Sequence, residues 1–297
     1  MTTFAQTIDE VLSHLRGYVR DQELSTHLTA GINSSATSMT VNDATVLSRG
    51  RAEIGSELVW IDSVDRSTNT ATIAPYGRGM DGTTAAAHLT NDRVIYQPLF
   101  PRYAVARSIN DTLRSLTGTL FGVAATTLTA NAAYTTYALP ADTEGVNEVT
   151  WQIVGPTREW LSVRRWKFNQ NANTTSWPTG KTLDIFEDIT PGRTINVSYR
   201  KQVGTMSSES DVYTTATGLQ ERTRDCIVLG ATYRLLSSVD MGLIATRAIE
   251  ANTMDSKITP GAGQTAARFM FQLFQARLAE ERAWLLDEYP AQTHYTR

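Results

Sequence analysis

Two hydrophobic periods alternate along this chain, and each dictates a different kind of element. From Phe4 to Val19 the apolar positions Phe4, Ile8, Val11, Leu12, Leu15 and Val19 follow steps of three and four, with Asp9, Glu10 and Arg16 outside the stripe. That spacing predicts an amphipathic helix. A second one begins after Pro101, with Tyr103, Ala106, Ile109, Leu113 and Leu116 on its stripe; proline suits a first helical turn. Two more follow Gly218, one from Leu219 to Ser238 with an extension toward Asn252, the other from Thr265 to Glu288. Thr259-Pro260-Gly261-Ala262-Gly263 separates them and Pro290 ends the last.

Between the helices the period falls to two. Glu57-Leu58-Val59-Trp60-Ile61 and Thr70-Ala71-Thr72-Ile73 flank the polar turn Arg66-Ser67-Thr68-Asn69, which predicts a hairpin. Val149, Trp151 and Ile153 alternate with polar neighbours, as do Ile195, Val197 and Tyr199. Such strands have one face in a core and the other in water. Four helices with apolar stripes need cover, and the economical expectation is that they cover one another. The expected fold is therefore α+β: an antiparallel helical bundle of residues 1–25, 99–120 and 218–289 with two inserted antiparallel β units, sandwich- or barrel-like, at 26–98 and 121–217. Residues 290–297 are expected to form a flexible tail.

Composition narrows the function classes. A formal net charge of −3 argues against a protein whose main task is coating nucleic acid. The single cysteine, Cys226, excludes an intrachain disulfide and a cysteine-based zinc site. No run approaches the roughly 18 apolar residues of a membrane span. Met1-Thr2-Thr3-Phe4-Ala5-Gln6 has neither the basic nor the apolar region of a secretory signal, so the expected site of synthesis and folding is a reducing compartment.

The motifs that suggest chemistry each have a simpler reading. Gly77-Arg78-Gly79-Met80-Asp81-Gly82 fits G-x-G-x-x-G, but its surroundings read as antiparallel β and lack the acidic partner of a dinucleotide site. A tight glycine turn is expected instead. His14, His27, His88 and His294 stand far apart, so no metal is expected. The pairs Asp184 with Glu187 and Asp142 with Glu144 have the residue types of a glycosidase dyad, but surface carboxylates are the ordinary reading and the one expected. Arg158 to Phe168 interleaves cations with aromatics, the residue types that stack on a nucleic acid or a sugar; the favoured reading is a strand whose aromatics pack and whose arginine stems cover the sheet rim. No catalytic residue and no cofactor are expected.

Residues Ala52 to Tyr96 resemble a β module that recurs in structural proteins of tailed bacteriophages. The carriers are Ile54-Gly55-Ser56-Glu57-Leu58-Val59, then Gly77-Arg78-Gly79-Met80-Asp81-Gly82-Thr83-Thr84-Ala85-Ala86-Ala87-His88, then Val94. In that module a strand ends in an "RG..GT.A..H" loop before a closing strand; where the module has a glycine past the histidine, this chain has Asn91-Asp92. The whole arrangement resembles the head-to-tail adaptor, or connector, proteins of the same phages. The resemblance implies a non-enzymatic virion protein of the neck, assembled in the host cytoplasm. It would form a homo-oligomeric ring, a dodecamer, around the channel through which genomic DNA passes without specific binding. Its implied partners are the portal protein and a tail, tail-terminator or stopper protein, with no membrane involved. A terminal segment that reaches the portal makes Tyr295 and Arg297 the candidate partner-binding residues. The alternative is a tail or decoration β-sandwich protein that binds carbohydrate through Trp151, Trp160, Trp166 or Trp177.

Overall fold

The computed structural model describes residues 1–17, 23–153, 159–249 and 262–290. Helix α1 (Phe4–Arg16) precedes six strands: β1 (Ser25–His27), β2 (Ser38–Thr40), β3 (Gly50–Ile54), β4 (Glu57–Asp65), β5 (Thr70–Ile73) and β6 (Arg93–Tyr96). After α2 (Arg102–Leu116) come β7 (Gly122–Thr129), β8 (Thr136–Ala138), β9 (Thr143–Gln152), β10 (Trp160–Ser162), β11 (Trp166–Asn169), β12 (Thr182–Ile185) and β13 (Thr194–Lys201). The short α3 (Tyr213–Thr217) and the long α4 (Arg224–Ile249) and α5 (Ala262–Glu288) complete the sequence of elements. The expected ends of the first and third helices, Val19 and Asn252, lie outside the described residues, as does the break at Thr259–Gly261.

This architecture corrects the expected helical bundle with inserted β units. As described, the protein is mostly β, with thirteen strands in three antiparallel sheets among the described residues and 31% of the chain helical. The physical reason lies in what an amphipathic stripe says. It requires that one side of a helix be covered, and leaves open whether a helix or a sheet covers it. The sheets here carry cores of their own. One gathers Leu28, Met39, Leu47, Ile54, Ile61 and Val94. The other gathers Leu139, Val149, Trp166, Leu183, Ile195 and Val197.

By internal packing the chain divides into two compact units: residues 7–109 with 230–270, and residues 1–6, 110–229 and 271–297. In the first, six strands form one sheet in the order β1-β6-β3-β4-β5-β2. The sheet curls, and its outer strands are stitched together by a bridge between Leu28 and Val41, with Thr29 N donating to Thr40 O (3.0 Å) and Asn42 N to His27 O (2.9 Å). The predicted hairpin is present as β4 and β5, paired from Ile61↔Ile73 to Asp65↔Thr70. The buried Glu53 of β3 accepts the backbone N–H of Arg102 (2.5 Å), which places a carboxylate at the positive end of α2.

The second unit holds two open sheets, β10-β9-β13-β7 and β11-β12-β8. The alternating strands read from the sequence lie side by side here, with Ile195 opposite Trp151 and Val197 opposite Val149. Their shared face is the core, because residues two apart along a strand point the same way. Asn110 ties the start of the unit to a later loop: its Nδ2 donates to Met206 O (2.8 Å) and its Oδ1 accepts from Met206 N (3.0 Å).

Candidate functional site

The densest polar cluster among the described residues surrounds Glu57, the first residue of β4, which is 1% exposed. Gly55, with φ of 59°, makes the tight turn from β3 that delivers Glu57 opposite Ile54. Arg78 meets the carboxylate with both arms of its fork, Nε to Oε1 at 2.7 Å and Nη2 to Oε2 at 2.9 Å. The backbone N–H groups of Gly79 and Ala86 donate to Oε1 and Oε2, each at 3.0 Å. His88 Nε2 stands 2.8 Å from Oε2. An ionised carboxylate only accepts, so this nitrogen carries the hydrogen.

Burial pushes the Glu57 carboxyl up, and the hydrogen bonds from Arg78, Ala86, His88 and Gly79 outweigh it, so its pKa falls from 4.5 to about 2. Arg78 is held in turn by the loops around it. Its Nη1 donates to Asn33 O (2.8 Å) and Ala36 O (3.2 Å), and its Nη2 to Ala86 O (2.6 Å). His88 also pairs backbone to backbone with Ile32, N to O in both directions.

The glycines of the loop follow from close approach and handedness. A Cβ on Gly77 would lie 2.9 Å from Ala74 O and 3.0 Å from Trp60 O. Gly79 has φ of 61°, and a Cβ there would meet Thr83 O at 2.9 Å. Thr83 closes the turn, its hydroxyl donating to Met80 O (2.8 Å) and accepting from Leu58 N (3.1 Å). The expected glycine turn is thus present, as a 3-10 turn at Met80–Gly82. A phosphate cradle needs free N–H groups; here the amides of Gly79 and Ala86 already face an anion. The chemistry of the cluster is cohesion.

A groove of about 360 Å³ lies in the other unit, lined by Phe121, Gly122, Glu221, Glu281, Trp284 and Tyr289 among others. Its buried Glu281 pairs with Arg222 (2.8 Å) and Arg277 (2.7 Å). The Arg222 guanidinium stacks 4.1 Å above the Trp284 ring. Neither Glu57 nor Glu281 was singled out for a role by sequence reasoning. A carboxylate opening the apolar run Leu58-Val59-Trp60-Ile61 was the available signal for the first.

Among the described residues the other sequence candidates do not assemble into a site. Tyr295, Arg297 and His294 lie outside the described residues. His14 and His27 are exposed, and among the described residues no group of three or more His, Cys, Asp or Glu is placed to hold a metal ion. Asp184 accepts from Thr136 Oγ1 (2.7 Å), and Glu187 Oε1 accepts the backbone N–H groups of Arg164 (2.7 Å) and Arg165 (2.8 Å). Asp142 pairs with Lys201 (3.6 Å), and burial raises the pKa of Glu144 against the pull of Lys181. Trp166 is buried in the second core. Trp160, 46% exposed, sits next to a residue opposite Trp151, so the two rings point to opposite faces. Trp151 and Trp160 therefore do not share a stacking face. Burial pushes the Cys226 thiol up to about 12, which removes it as a nucleophile near neutral pH. No helix among the described residues is long and apolar enough to cross a membrane. No protein-family model and no curated protein matches the chain.

Proposed function

We propose that this chain is a structural protein of a tailed-phage particle that acts by assembly at the neck, as a head-to-tail adaptor. In this reading copies form a ring, the portal lies on one side and a tail or stopper protein on the other. Genomic DNA crosses the ring without specific binding. The chain has no catalytic step and no cofactor. The observation that carries the reading is the loop from Gly77 to His88, whose phage-module residues hold one another together around Glu57. The resemblance thus extends to residues that cooperate, since Arg78, Gly79, Ala86 and His88 share a single carboxylate. The helical-bundle part of the likeness gives no support, because the fold is mostly β.

Mixing the purified chain with portal rings of its phage and viewing the product by negative-stain electron microscopy tests the proposal. A second ring stacked coaxially on the portal is expected; portals that stay bare at saturating protein overturn it. Binding of duplex DNA by the free chain should be weak, with a gel-shift dissociation constant no tighter than about a micromolar at physiological salt.

A further inference from the structure

The last two-thirds of helix α5 has a covered side and a bare one. Phe274, Glu281 and Leu285 are buried, and Arg277, Leu278 and Trp284 half-buried, on the side that packs into its own unit. Along the other side run Gln272, Ala276, Ala279, Ala283 and Leu286, in steps of four, three, four and three, and all five are exposed. That is the spacing of a seam between two helices. Leu273 beside the seam is 40% exposed and Leu286 within it 45%, so large apolar side chains stand in water at both ends of the row.

The two flanks of the seam differ in charge. One carries Glu280 and Asp287, the other Gln275 and Arg282, and all four are exposed. Glu280 is paired with Arg277 of its own helix (2.9 Å), whereas Arg282 and Asp287 have no ion-pair partner among the described residues. They cannot serve each other within one helix, because neighbours on a helix surface are three or four residues apart and these are five. Five is the separation at which the flanks of two parallel helices meet across a seam.

We propose that this face of α5 is a contact between copies of the chain: α5 of a second copy lies parallel to it, with the basic flank of one against the acidic flank of the other and Arg282 paired to Asp287. Charge sets the direction. An antiparallel neighbour would bring like flank to like flank, and so set the carboxylates of Glu280 and Asp287 against their own kind. The occupant, a second copy, rests on the ring reading. Rotation about a ring axis keeps equivalent helices pointing the same way along it, and lets each copy offer Arg282 to one neighbour and Asp287 to the other. The alanines between the leucines allow the two helices to approach closely.

Sedimentation velocity on the full chain and on two charge reversals, Arg282→Asp and Asp287→Arg, tests this. The parent should self-associate with rising concentration, and each variant alone should do so about tenfold or more weakly, because its contacts oppose like charges. Both positions are exposed, so the melting temperature of each variant should match the parent's. An equimolar mixture of the two variants should associate as the parent does, since each reversed residue then meets its opposite on the other chain. A parent that stays monomeric, variants that associate like the parent, or a mixture no better than its components overturns the proposal. Portal rings separate it from the neck reading. Rings built on the portal equally well by parent and variants overturn the α5 contact alone, and rescue by mixing in solution with portals left bare overturns the neck reading alone.

Discussion

The two β regions solve the same problem in opposite ways. The sheet of β1 to β6 curls until its outer strands meet at Leu28 and Val41, and it buries a fully partnered carboxylate under its loops. The sheets of β7 to β13 remain open, with β7 and β10 as the two edges of the larger one and Trp160 and Leu161 exposed on β10. A closed sheet satisfies its own backbone and offers little to a partner, whereas an open edge is a pairing surface. The comparison separates a region whose outer strands pair with each other from one that ends in edge strands. In the closed region the amides of Gly79 and Ala86, within the motif most suggestive of ligand chemistry, are already turned to the protein's own Glu57.

The comparison breaks first at Glu57. Replacing it with alanine removes the carboxylate from the half-buried Arg78, a loss of up to roughly 3–5 kcal/mol. Exchange should then rise in β3, β4 and β6 while β9 and β13 keep their protection. A loss spread evenly over both regions would mean that the closed sheet is not self-sufficient.

Acid should act on the same region by a comparable amount. The folded pKa of Glu57 lies below its unfolded value, so its stabilisation is complete above about pH 4.5 and is lost as pH falls from 4.5 toward 2. A downward shift from 4.5 to about 2 corresponds to on the order of 3 kcal/mol. Denaturant titrations between those pH values should show this loss in the parent chain and a much flatter profile in Glu57→Gln.

Glycine substitutions sharpen the contrast at smaller scale. Gly79 and Gly192 both have positive φ, but a Cβ on Gly79 meets Thr83 O at 2.9 Å, whereas one on Gly192 meets nothing within 4 Å. Gly192→Ala should cost about 1 kcal/mol for the left-handed backbone alone. Gly79→Ala should cost roughly 3 kcal/mol, because backbone must also move. Smallest of all is Trp160→Ser on the open edge, expected within about 0.5 kcal/mol of the parent in stability. If the proposed ring forms through this edge, its effect should appear instead as fewer rings in negative-stain images.

Much of the local structure was legible in the sequence. The hairpin of β4 and β5, the neighbours β9 and β13 and the glycine turn at Met80–Gly82 follow from alternation and turn residues, which are local signals. The architecture was not, because the stripes of Phe4–Leu15 and Tyr103–Leu116 carry no record of what covers them. Glu57 was equally hidden. Its partners Arg78, Ala86 and His88 are 21, 29 and 31 residues away, and only the fold brings them together. The curl of the first sheet and the openness of the second likewise depend on pairings such as Leu28 with Val41 that no short pattern encodes.

Immunogold labelling of intact phage particles, with antibodies raised against the open region of residues 121–217, tests the adaptor reading most directly. Gold at the head–tail junction, with a number of particles bound per virion that reflects a ring, is the predicted result. Gold confined to the capsid surface, the tail shaft or the tail tip would contradict it.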